Sequence, residues 1–323
     1  MPSDAFVLDH LASLFPPARR HPRTADIEAD VHAWAAAHAL DSSGTTGGGL
    51  ARRGVGHIVG SCMSEASLPI ATLTARYLAW VFVFDDQVAE NARLLGTYRS
   101  RAPENVLRGG PAPEDDALLT ALADLREQII GCGGAWLLPE LSDHLAAYLA
   151  ACAREAPWRA DGQVPPLTDY LHDRIATSGG HALHLHRLDF PRNLGGLPPH
   201  LLELADLAHL IGGLVNDLIG WDHDQRHHDP VNLVTVLAHH YGLPVPAAHR
   251  AAVVLLAAHK HRFDALHDRL RTAATWCDPH LLAAIAGWVD GCAAAITAYR
   301  RHDTRSGSPR HAADTPPPSR PDD

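Results

Sequence analysis

Residues 81 to 90 read VFVFDDQVAE: an apolar run ending in two adjacent carboxylates, Asp85 and Asp86, with a third, Glu90, four residues after the second. Tyr77, Leu78, Val81, Phe82 and Asp85 recur at positions that share one side of a helix, so an apolar stripe runs up to a carboxylate. Asp86 and Glu90 are spaced to meet on an adjacent face. Carboxylates this close repel one another unless a cation joins them. Hard divalent ions such as Mg²⁺ are held by one or two carboxylates plus substrate phosphates. The plainer reading of the same residues is a solvated helix end, although the helix dipole does not favour acids there. This stretch does not choose between the two.

A second stretch, NDLIGWDHD at 216 to 224, bears on the choice. Asn216, Gly220 and Asp224 are spaced i, i+4, i+8 and form one line along a helix, so that an amide oxygen and a carboxylate two turns apart can grip one hard cation. The apolar run before it, LAHLIGGLV, supplies a buried approach, as VFVF does for the first stretch.

The surrounding chain predicts an all-α domain. It has 323 residues, 46% of them apolar, and reads as long Ala-, Leu- and Arg-rich helices with no alternating strand pattern. Turn formers punctuate it near 43–50, 108–116, 161–166, 195–199 and 242–246. The domains expected are an N-terminal segment over 1–24, one helical domain over 25–304, and a Pro-rich disordered tail over 305–323. Formal net charge is −10 with no basic block, which argues against a nucleic-acid partner. No secretory signal is evident, and no apolar stretch is read as reaching the roughly 18 residues of a membrane span, so a cytoplasmic protein is expected. The cysteines Cys62, Cys132, Cys152, Cys277 and Cys292 lack metal-binding spacing and are read as reduced, mostly buried thiols. The 24 histidines fall largely in segments such as HALHLHR, where biased composition is the simpler explanation than a metal centre.

Taken together, the two acidic stretches resemble those of the bacterial class I terpene synthases. VFVFDDQVAE is similar to that family's aspartate-rich motif in its DDxxxE form, and NDLIGWDHD to its NDxxSxxxE motif. Their order and separation fit over roughly residues 25 to 302. The resemblance implies a single helical bundle with a deep apolar cavity. At its mouth Asp85, Asp86, Glu90, Asn216, Gly220 and Asp224 would hold Mg²⁺, three ions in all, against the diphosphate of a linear isoprenyl substrate. Farnesyl diphosphate is the favoured substrate, and a homodimer is allowed for. DYLHDRIATSGG resembles the region that senses the diphosphate, with Arg174 and Gly179 at the matching positions. GCAAAITAYRRH resembles the closing motif, placing Arg301, or in another register Arg300, on the diphosphate, with Arg226 as a further contact. Tyr77, Leu78, Val81 and Phe82 would line the cavity, Phe82 offering a π-face to the allyl cation.

Five positions depart from the pattern: Gly220 for Ser or Thr, Asp224 for Glu, Ile175 for a second Arg, and Ala295 and His302 for Trp and Tyr in the closing motif. Two other functions compete. One is a prenyl-diphosphate-binding member of the same fold without turnover. The other is an HD-type metal phosphohydrolase, suggested by the pairs His172-Asp173, His223-Asp224, His228-Asp229 and His267-Asp268. A prenyl-elongating enzyme fits less well, because its second motif would also be aspartate-rich.

Overall fold

The structure, a computed structural model, describes residues 2–15, 18–40, 53–89, 91–190, 199–272 and 279–306. Among them run thirteen α-helices: α1 (Pro2–Leu14), α2 (Thr24–Ala37), α3 (Val55–Cys62), α4 (Leu68–Phe84), α5 (Ala92–Arg101), α6 (Glu104–Leu107), α7 (Ala117–Gly131), α8 (Leu138–Asp161), α9 (Leu167–Thr177), α10 (Pro199–Arg226), α11 (Leu233–Tyr241), α12 (Val245–Thr272) and α13 (Pro279–Ser306). A π-helical turn, Asp85–Ala89, follows α4, and 3₁₀ segments occupy Ala135–Leu137 and Gly180–Asp189. No strand occurs among the described residues.

Local chemistry sets the helix limits. Asn91, Asp116 and Asn232 each turn a side-chain oxygen onto free backbone N–H groups at the start of α5, α7 and α11. Gly162 and Gly242, both left-handed, end α8 and α11 inside predicted breaks. The breaks predicted near 43–50 and 195–199 lie wholly or largely outside the described residues, as does the tail from 307 onward.

α4 is the central element. It packs against α2, α3, α7 and the 180–189 segment, and buries Tyr77, Trp80 and Phe84 completely. Together with the π-turn it forms a stretch of 22 residues, Leu68–Ala89, that is long and apolar enough to cross a membrane by length and composition alone. That corrects the sequence reading that no stretch reaches this length. Two-thirds of the qualifying window is buried inside the bundle, as a core helix requires.

α1 does not stand apart from the domain. Its Val7 and Leu11, with Phe15 just beyond, are buried in the common core, and the helix packs on α12 and α13. Three apolar residues at helical spacing thus join the N-terminal segment over 1–24 to the core of the helices that follow. α3 and α13 pack at a very close approach. A Cβ on Gly291 would collide with the backbone of Ser61 and Cys62, so only glycine fits there. The thiols follow expectation in part: Cys62 and Cys152 are buried, Cys292 is half-buried, and Cys132 is exposed.

Candidate active site

At the end of α4 the backbone widens into the π-turn, and the two aspartates leave in different directions. Single π-turns are frequent at functional sites. Asp85 is half-buried and accepts a hydrogen bond from the Tyr148 hydroxyl of α8 at 2.7 Å. Asp86 is 47% exposed and receives the Arg53 guanidinium, whose carbon lies 5.2 Å from the centre of the Phe82 ring. Burial raises the Asp86 pKa; Arg53 opposes that and the neighbouring Asp85 reinforces it. Phe82 thus belongs with Asp86 and gives its ring face to Arg53. Standing three residues before Asp85 and four before Asp86, Phe82 shares a helix face with both. Glu90 lies outside the described residues.

Leu78 and Val81 do meet the predicted glycine. Gly179 has φ +70°, a left-handed conformation that lets the chain turn sharply between α9 and the 180–189 segment. A Cβ on it would lie 3.4 Å from Val81 Cγ1 and 4.0 Å from Leu78 Cδ1. Tyr77 is fully buried with its ring edge-on to His181, and its hydroxyl has no hydrogen-bond partner.

The second acidic stretch occupies the C-terminal half of α10. Asn216 is exposed, and Gly220 and Asp224 follow on the same face: a Cβ on Gly220 would lie 3.7 Å from Asp224 Oδ2. Asp224 accepts from Asn232 Nδ2 at 2.8 Å. Asn232 is fully buried and also caps α11, so one residue fixes both the carboxylate and the next helix. Asp217 points the opposite way, into the core, where it accepts from Tyr170, from the Leu233 N–H at 3.0 Å and from Arg174 Nη2 at 2.6 Å.

Arg174, on α9, therefore reaches α10. Its Nη2 also donates to Asn216 Oδ1 at 3.3 Å and to the Gly213 carbonyl at 3.1 Å, while its Nε is buried without a partner. Burial works against its charge, but Asp217 outweighs that and the guanidinium stays protonated. α8 spans the two acidic stretches. Tyr148 holds Asp85; further along, buried Glu155 pairs with Arg159 at 2.9 Å, and Arg159 reaches Asp229 at 3.2 Å. Glu155 feels the charges of both Arg174 and Asp85, and Asp86 feels His223. The two stretches thus share one electrostatic neighbourhood.

The donors around it are carboxylate and amide oxygens, the set that suits Mg²⁺. The space left open beside Asp224 by the missing Cβ of Gly220 is where the family pattern has a hydroxyl, and it leaves room for water. The residues present therefore fit a hard divalent ion. Arg226 is exposed in the last turn of α10. Arg300, Arg301, Ala295 and His302 belong to α13, at positions whose side chains are outside the described ones.

The His-Asp pairs do not assemble. Asp173 is committed to Arg154, Asp229 to Arg159, and the one three-residue ligand group among the described residues contains none of these pairs. Sequence reading missed Arg53, Tyr148, Asp217 and Asn232. Asp217 alone had a local signal, as the acid next to Asn216.

Comparisons with known proteins bear on this arrangement. The model of a family described as terpene synthase family 2, C-terminal metal binding, matches residues 76–262. A germacrene A synthase of Nostoc punctiforme is 24% identical over 250 residues, covering 72% of this chain and 76% of that protein. A (+)-T-muurolol synthase of Roseiflexus castenholzii, named as cyclizing (2E,6E)-farnesyl diphosphate, is 28% identical over 246 residues, covering 73% and 74%. Among solved structures, 2-methylisoborneol synthase from Streptomyces coelicolor A3(2), in complex with Mg²⁺ and 2-fluoroneryl diphosphate, is similar at a TM-score of 0.75 and 19% identity, over 90% of this chain and 96% of that one. Hedycaryol synthase in complex with HEPES gives 0.73 and 19%, over 91% and 97%. The structural likeness speaks to the all-α fold.

Proposed function

This chain belongs to terpene synthase family 2, and from that premise we propose that it ionises and cyclises a linear isoprenyl diphosphate, farnesyl diphosphate first among them, to a sesquiterpene with release of diphosphate. The observation that carries the proposal is the pair of oxygen-donor faces, Asp85 and Asp86 after α4 and Asn216 with Asp224 on α10, tied into one neighbourhood through α8 and α9. The relative named for farnesyl diphosphate supports the fifteen-carbon substrate.

Asp85, Asp86, Asn216 and Asp224, with Glu90 as the family pattern has it, would hold the Mg²⁺ ions, three of them. When bound, Mg²⁺ supplies Lewis-acid stabilisation of the charge that develops on the departing diphosphate. Arg174 binds and orients that diphosphate: its Nε is a buried donor without a partner, and Asp217 and Gly213 hold the guanidinium in place. By the family pattern, Arg226 and Arg300 or Arg301 would add further positive charge toward the diphosphate. Leu78, Val81 and Gly179 exclude water from the allyl cation, which would otherwise be captured as an alcohol. Tyr148 and Asn232 position Asp85 and Asp224 from behind.

The test is incubation of purified protein with geranyl, farnesyl and geranylgeranyl diphosphates and Mg²⁺, followed by gas chromatography of an organic extract. A cyclic hydrocarbon or alcohol from farnesyl diphosphate is expected. Asp85→Asn and Asn216→Leu should each abolish it while leaving the circular dichroism spectrum unchanged. Binding of a prenyl diphosphate without any product would favour the non-catalytic reading, which Gly220 and the altered closing motif at Ala295 and His302 motivate. Near-normal turnover by Asp85→Asn would sink the metal-clamp assignment.

A further inference from the structure

Histidines that composition seemed to explain gather in one place. Glu140 and His144 lie one turn apart on α8, His184 on the 180–189 segment, and His209 on α10. The rings of His144 and His184 are stacked with centroids 4.3 Å apart, and His209 stands steeply inclined to both, at 6.4 and 5.6 Å. Glu140 Oε1 lies 3.0 Å from His184 Nδ1 and 3.9 Å from His144 Nε2. One ligand atom from each of Glu140, His144 and His184 falls within 4.8 Å of the other two.

Core histidines normally satisfy both ring nitrogens, yet Nε2 of His184 and of His209 is buried without a hydrogen-bond partner. His184 is 2% exposed and His209 is 4% exposed, so bulk water does not serve them. A cavity of about 10 Å³ beside His184 is no larger than a single water needs. Arg187 donates to the same Glu140 oxygen while its guanidinium lies 5.0 Å from the Trp136 ring centre, so the carboxylate is held in place by a further contact.

We propose that Glu140, His144 and His184 bind a divalent transition-metal ion of the Zn²⁺ class, at a site separate from the oxygen clamp of Asp85, Asp86, Asn216 and Asp224. Two imidazoles and one carboxylate are a common zinc donor set, and imidazole ligands select Zn²⁺, Co²⁺ or Ni²⁺ over Mg²⁺. The ion cross-links α8, one turn before Tyr148, to the segment that begins immediately after Gly179.

The experiment uses untagged, chelator-treated full-length protein titrated with Co²⁺ in saturating Mg²⁺, read by visible absorption. One equivalent of Co²⁺ with the strong bands of low coordination number is expected, displaced by Zn²⁺ and unchanged in Asp85→Asn. His144→Phe, which keeps the stacked ring, and Glu140→Gln, which keeps the side-chain shape, should each weaken Co²⁺ binding by about tenfold or more. His223→Ala, at the exposed His223–His227 ring pair, should not. Added Zn²⁺ should raise the melting temperature of the parent and not of His144→Phe. The proposal is overturned by absence of bands under Mg²⁺, by their loss in Asp85→Asn, or by full binding in both ligand variants.

Discussion

Gly220 is the one position of the oxygen clamp with no donor of its own, and the space beside it is bounded by Asp224 Oδ2. A hydroxyl there would add a third hard oxygen to the α10 face. Gly220→Ser should therefore lower the Mg²⁺ concentration for half-maximal turnover by about threefold or more, since hard-cation affinity follows the number and placement of oxygen ligands. A steady-state Mg²⁺ titration measures this, and an unchanged constant would mean that α10 does not bind the ion through this face. Tyr148→Phe removes a single bond from Asp85 while leaving the ring packed on Phe84. At about 1 kcal/mol for such a bond, kcat/KM should fall roughly fivefold with little change in melting temperature. The acids themselves were legible because two short spacings carry them. Their supports were not: Tyr148 sits in LAAYLAA and Asn232 in DPVN, stretches whose local pattern says nothing about a partner 63 or 8 residues away.

The helices were legible because burial imposes its period on the chain, and the caps at Asp116 and Asn232 fall where apolar runs begin. What periodicity could not show is where a helix changes its winding. The continuous stripe from Tyr77 to Asp85 implied a regular helix, and the π-turn at Asp85 instead sends Asp85 to Tyr148 and Asp86 to Arg53. The closeness of α3 to α13 was equally hidden, although the glycine that permits it, Gly291, stood in a motif read for chemistry. Gly291→Val should cost about 1–3 kcal/mol by forcing these helices apart, which urea unfolding would detect as a lower midpoint at unchanged slope. A midpoint equal to the parent's would show that the helix pair yields easily there.

For the molecule as a whole, the buried histidines set the response to acid. Burial lowers the folded-state pKa of His181 to about 3 and of His184 and His186 to about 4, and carries His209 well below its ordinary value. In the unfolded chain these groups titrate near 6.5, so their contribution to stability is complete above that pH. It is lost as the pH falls toward the folded values, because the unfolded chain takes up protons that the folded one refuses. Each histidine adds a slope of up to about 1.4 kcal/mol per pH unit across that window. Glu140, held ionised in the fold, extends the loss below its ordinary 4.5. With a chelator present, the melting temperature should be flat above about pH 7 and fall steadily toward pH 4.5. His209→Phe should make the fall shallower, and an unaltered slope would show that His209 contributes nothing to it. The π-turn at 85–89 has a consequence at this scale too. It holds one residue more than an α-helical turn would, so it works as a phase setter: deleting one of its five residues would return the end of α4 to regular winding and turn the residues just after the deletion by about 100° around the helix axis. Such a shortened chain could keep every apolar contact of α4 and still aim the wrong face of its acidic end at α10.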